Sequence, residues 1–121
     1  MIPRLYPLIL IAGFAFLSWP VIGLAHVHLD RSEPAKDAVV SEAPTQVKLV
    51  FSGRIEPEFS EIVVTGADGT QIDTGAISGS ENRRELSVSL GTLGPGNYQV
   101  KWNAIARDGH RIRGEFSFTV E

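Results

Sequence analysis

The stretch Asn97-Tyr98-Gln99-Val100-Lys101-Trp102-Asn103-Ala104 alternates polar and apolar side chains without a break. In extended chain, successive side chains leave opposite faces, so Tyr98, Val100, Trp102 and Ala104 share one face and Gln99, Lys101 and Asn103 the other. A helix of about 3.6 residues per turn would scatter the same apolar set around its circumference. The segment therefore predicts a half-buried strand, with Trp102 and Tyr98 in the core.

The same period recurs outward from it. Val47, Leu49 and Phe51 form one face, Leu86, Val88 and Leu90 another, and Phe116, Phe118 and Val120 a third. Pro34, Ala43-Pro44, Ala67-Asp68-Gly69, Ser78-Gly79-Ser80 and Gly94-Pro95-Gly96 punctuate the runs, as turns do between strands. About seven strands are expected, near residues 27–31, 46–52, 60–66, 70–74, 84–90, 97–106 and 112–120. Short, evenly spaced strands with turns between them predict an all-β fold, an immunoglobulin-like antiparallel β-sandwich of Greek-key type. Pro57 belongs in the irregular connection after Phe51, since proline cannot donate to a ladder.

The first 25 residues read differently. Arg4 is their only charge, Leu5 to Phe16 is an apolar run, Pro20 interrupts it, and Gly23 and Ala25 are small. This is the pattern of a cleavable helical signal peptide, and an apolar core of about a dozen residues falls short of the roughly 20 that a spanning helix needs. Cleavage after Ala25 gives residues 1–25 as leader and 26–121 as one exported domain, not membrane-spanning once the leader is gone. Losing Arg4 takes the net charge from −3 to −4, which disfavours a nucleic-acid partner. The chain has no cysteine and, beyond Met1, no methionine. It offers a metal only nitrogen and oxygen donors.

Cleavage also makes His26 the amino terminus. Its amine and imidazole then form a chelate that no internal histidine can match. Asp108 and His110, two apart in Arg107-Asp108-Gly109-His110, follow the Trp102 strand and point the same way, with Gly109 permitting a tight turn. A sandwich brings its first strand near later ones, so His26, Asp108 and His110 can supply three nitrogens and one oxygen. Copper(II) favours such a roughly planar set, whereas zinc prefers a tetrahedron. His28 shares a face with His26 and is a further candidate, as ligand, as hydrogen-bond partner, or through a local wrap of the free terminus around copper(II). The acidic stretch Glu56, Glu58 and Glu61 reads as a solvated loop, and Arg107, Arg111 and Arg113 as the wet face of a hairpin. No Gly-x-Ser-x-Gly nucleophile turn is present.

The ordered set His26-Val27-His28-Leu29, Ser32-Glu33-Pro34-Ala35, Leu49-Val50-Phe51-Ser52, Pro95-Gly96-Asn97-Tyr98-Gln99-Val100-Lys101-Trp102, Asp108-Gly109-His110 and Gly114-Glu115-Phe116-Ser117-Phe118 resembles the CopC family of periplasmic copper-binding proteins. The resemblance covers essentially residues 26–121. It implies a β-sandwich that binds copper(II) through the amino-terminal histidine and an Asp-x-His pair, here His26, Asp108 and His110. It also implies a CopD-type membrane protein as recipient of the copper. The methionine-rich copper(I) loop of some members is missing. Gly53 stands where many members have glutamate, with Glu56 the nearest substitute.

The expected function is therefore a non-enzymatic, monomeric periplasmic carrier or buffer in copper homeostasis or resistance, holding one copper(II) per chain. Two alternatives stand beside it. One is a small copper oxygenase built on an amino-terminal histidine brace; the other is a metal-free sandwich for adhesion or assembly.

Overall fold

The computed structural model describes Pro3 and residues 26–121. The leader and its cleavage point therefore lie, Pro3 apart, outside the described residues. Eight strands run in chain order: β1 (Leu29–Glu33), β2 (Val39–Val40), β3 (Gln46–Phe51), β4 (Glu61–Gly66), β5 (Asp73–Gly79), β6 (Glu85–Leu90), β7 (Gly96–Ile105) and β8 (Arg111–Val120). Only a short 3-10 turn, Pro57–Phe59, interrupts the β pattern among these residues.

Alternation dictates the layers. One sheet has the order β1-β3-β6-β5, the other β2-β8-β7-β4. This is the immunoglobulin arrangement of four strands facing three, with β2 added at one edge. Val47, Leu49, Phe51, Leu86 and Val88 project inward from the first sheet to meet Ile62, Val64, Val100, Trp102, Ala104, Phe116, Phe118 and Val120 from the second. All but Ile62 and Val64 were on the apolar faces named from the sequence, and burying such side chains is the main favourable term in folding. Phe51 and Trp102 meet edge to face across the sheets, ring centres 5.4 Å apart.

Trp102 fits only because of its neighbour across the ladder. Gly114 pairs with it in register, and a Cβ on Gly114 would sit 2.6 Å from the indole Cζ2. Gly114→Ala is expected to destabilise the domain by about 1–3 kcal/mol, the usual cost of overpacking a filled core. Chemical denaturation monitored by Trp102 fluorescence measures it, and a midpoint matching the parent protein would refute the packing argument. Tyr98 is half-buried rather than fully interior: its ring stacks on Phe118 and its hydroxyl donates to the Gly94 carbonyl (2.6 Å).

The strand expectations hold for the long alternating runs and shift in three places. β1 starts at Leu29 and not at 27, because Val27 and His28 run beside Ser52 and Gly53 outside the ladder proper. β2 was not anticipated; two residues carry no period, and Val39 is 61% exposed. It pairs in parallel with Thr119 and Val120, so the sandwich is not wholly antiparallel. The strand expected at 70–74 straddles a change of sheet. Thr70 and Ile72 bond to β4 in the second sheet, whereas the chain from Asp73 onward pairs with β6 in the first. Asp73 fixes the crossing point, its carboxylate accepting from the Val64 (2.7 Å) and Gly75 (2.8 Å) amides.

Candidate metal centre

The strand directions bring the chain leading into β1, the β3–β4 connection, the 80–84 turn and the β7–β8 hairpin to one end of the sandwich. The β3–β4 connection is the spacer between the candidate ligands. On one side Ser52 N donates to the His28 carbonyl (2.9 Å) and His28 N donates to Ser52 Oγ (3.0 Å). On the other, Arg107 N donates to the Arg54 carbonyl (3.1 Å), and buried Ile55 bridges to Ala106. One short segment thus fixes both the amino-terminal residues and the hairpin.

The hairpin folds as its sequence dictates. Ala106 N donates to the His110 carbonyl (2.8 Å) and Gly109 N to the Ala106 carbonyl (2.9 Å), closing a tight loop. Gly109 takes a φ of 89°, a left-handed conformation suited to glycine. Asp108 Oδ1 accepts from the His110 amide (3.0 Å), and Asp108 Oδ2 accepts from His110 Nδ1 (2.7 Å). These two donors, the amide first, hold the Asp108 carboxyl below its ordinary value. Both side chains remain open to solvent, at 61% and 66% exposure.

His26 comes to the same place. Its ring lies edge-on to His110, centres 5.5 Å apart. With metal–nitrogen bonds of about 2.0–2.1 Å, two imidazoles on one ion hold their centres roughly 4.5–6.5 Å apart. His26, Asp108 and His110, far apart in sequence, are thus neighbours. No three His, Cys, Asp or Glu side chains among the described residues already converge on one point. Asp108 and His110 are turned onto each other, and an α-amine is not a side chain.

The other candidates are placed elsewhere. His28 Nε2 pairs with Asp30 Oδ1 (2.9 Å), which engages it with the start of β1. Glu56 is not free to replace the carboxylate missing at Gly53: Arg83 pairs with it and reaches Glu58 as well (3.4 Å). Arg107, Arg111 and Arg113 are exposed, the last two alternating with inward Ile112 and Gly114 as the wet face of the hairpin. Sequence reasoning missed Ser52 and Val27. The signal for Val27 was an apolar residue between two histidines, and for Ser52 a hydroxyl at the strand end facing it.

The CopC domain family model matches residues 29–121. The chain belongs to the CopC family. It is similar to protein YobA of Escherichia coli strain K12, with 36% identity over 99 residues, 80% of either chain. Among solved structures it resembles CopC from Methylosinus trichosporium OB3b, with a TM-score of 0.74 and 32% identity over 79% of this chain and 94% of the other. It also resembles PcoC, a methionine-rich copper resistance protein from Escherichia coli, with a TM-score of 0.66 and 28% identity over 80% of this chain and all of the other. This kinship supports a copper-binding role. Beyond Met1 this CopC chain has no thioether, and it has no cysteine, so the donors it can offer a metal are nitrogen and oxygen.

Proposed function

We infer that this CopC protein is a periplasmic copper(II) carrier or buffer, non-enzymatic and monomeric, which takes one ion per chain and passes it to a CopD-type membrane partner. In this reading residues 1–25 are removed as a leader and residues 26–121 are the working domain. The α-amine and imidazole of His26, the imidazole of His110 and the carboxylate of Asp108 hold the ion. The support is the approach of His26 to His110 at 5.5 Å, joined by a carboxylate that is kept ionised. Among the described residues no helix is long and apolar enough to cross a membrane.

Each residue has a separate task. The amine closes a chelate ring, so two donors bind while one residue is ordered. His110 is held in orientation by Asp108, as a ligand histidine is by a carboxylate. Asp108 also brings the negative charge that a dication favours. Paramagnetic resonance of the processed protein with one equivalent of copper(II) tests the assignment by counting nitrogens. Three nitrogen donors, unchanged by His28→Ala, are expected; a spectrum indifferent to His110→Ala would refute it.

Acid should release the metal, because protons compete for the amine, which in an ordinary terminus keeps its proton up to about pH 8. Asp108 does not set this limit. Its lowered folded pKa means that its hydrogen-bonded, ionised form adds stability above the unfolded value and loses it only as pH falls through the folded value. Asp108→Asn is therefore expected to weaken copper binding at neutral pH and so to raise the pH of half-release at fixed copper(II), while the slope of log affinity against pH near neutrality, which counts the protons displaced from the other donors, keeps its value. A pH series of copper affinities checks this, and an altered slope would contradict it.

A further inference from the structure

The freed terminus His26-Val27-His28 is chemically able to bind copper(II) in two ways. The first is the site shared with His110. The second is local: any chain with histidine third can surround copper(II) with its terminal amine, the next two backbone nitrogens and the third imidazole. That four-nitrogen plane suits the ion, and the two amide protons pass to solvent as the metal takes their place. Both modes consume the same amine, so an ion held one way is denied the other.

We propose that Ser52 and Gly53 form a clamp that keeps His26-Val27-His28 from wrapping copper(II) by itself, reserving the terminal amine for the site shared with His110. The proposal rests on the copper(II) reading above and adds what selects the coordination mode. Three observations carry it. The His28 backbone nitrogen, which the local wrap must use, already donates to Ser52 Oγ at 3.0 Å, and the His28 carbonyl accepts from Ser52 N at 2.9 Å. Val27 lies directly on the bare backbone of Gly53. A Cβ there would stand 2.7 Å from Val27 Cγ2, and the same half-buried valine packs against the core. Finally, the His28 ring is tethered through Nε2 to Asp30 Oδ1 at 2.9 Å, one residue into β1. Curling the tripeptide around an ion means breaking the Ser52 bonds, lifting Val27 off Gly53 and releasing His28 from Asp30.

Gly53 thus has a role of its own. A side chain at 53 would push against a β-branched residue with little rotameric freedom, directly between two histidines. The missing glutamate leaves the surface on which the amino-terminal segment is seated.

The test uses processed protein with one equivalent of copper(II) at neutral pH, and the synthetic peptide His-Val-His-Leu as a spectroscopic reference. The parent protein is expected to give a three-nitrogen, one-oxygen resonance spectrum that differs from the peptide's. Ser52→Ala combined with Gly53→Ala should move it toward the peptide's four-nitrogen spectrum, and adding His28→Ala should abolish that change. In the copper-free protein, Ser52→Ala should speed exchange of the His28 amide roughly fivefold, as expected for loss of one ordinary hydrogen bond, while the Val100 amide keeps its rate. Ser52→Ala alone removes only a hydroxyl, so it carries the test if the double variant folds poorly. A clamp variant that exchanges faster at His28 yet keeps the parent copper spectrum overturns the clamp and leaves the shared site standing. A parent spectrum that already matches the peptide, sensitive to His28→Ala and not to His110→Ala, overturns both.

Discussion

Placing one extra residue ahead of His26 is expected to lower copper(II) affinity by roughly 10²–10⁴-fold, the advantage generally lost when a second donor ceases to be intramolecular. The extension converts the amine into an amide, whose nitrogen can serve copper(II) only by giving up its proton, and it leaves the His26 imidazole in place. Affinity falls because the chelate ring opens, not because the fold is harmed: the segment lies outside the ladder and its nearest strand begins at Leu29. Competition titration against a chelator of known strength measures the loss, with thermal denaturation of the metal-free protein as the control. Equal affinity in extended and processed forms would remove the reason for assigning a maturation-dependent site.

His110→Ala should be of comparable severity. It deletes one imidazole outright and frees Asp108 from the orientation that its bond with His110 Nδ1 gives it at 2.7 Å. The loss should exceed the roughly 10–100-fold that follows removal of a group that only orients a ligand. Because His110 is 66% exposed, the metal-free fold should stay within about 0.5 kcal/mol of the parent, as for ordinary surface changes. The expected ranking of affinity losses is His110→Ala, then Asp108→Asn, with His28→Ala last and near zero. Isothermal titration of the three variants settles the order, and a His28→Ala loss as large as that of His110→Ala would reassign the site.

Much of this architecture is legible in the residues because burial on one face imposes a period of two. Leu49 and Leu86, which face each other in register, were both on the apolar side of their runs. Val100 and Phe116 likewise pair across the long hairpin. What escaped has an equally physical cause. β5 reads Asp-Thr-Gly-Ala-Ile-Ser-Gly, with a register break between Asp73 and Ile77, so it carries no alternation to detect. The passage from one sheet to the other at Asp73 depends on a side-chain bond to the Val64 amide, nine residues back, and local pattern holds no record of it. The neighbourhood of His26 and His110 was expected from topology alone. The way Ser52 receives His28 was not, since a hydroxyl at a strand end has many possible partners. Arg83 shows the limit of local reading: Glu56, read from the sequence as part of a solvated loop and as the nearest substitute for a carboxylate at 53, is engaged by a guanidinium that only the fold brings to it.

The two-residue strand β2 has a consequence for how these molecules behave in a crowd. Without it, β8 would offer its whole outer rail of amides and carbonyls to any passing chain, the usual route to edge-on polymerisation. β2 seals the last two rungs at Thr119 and Val120, helped by Asp37 N on the Ser117 carbonyl (2.7 Å). Further up, where the rail is uncovered, exposed Arg111, Arg113 and Glu115 make a fibril-like neighbour strip water from charge. A strip of chain too short to show in the pattern of the sequence thus shields the sheet where charge gives out.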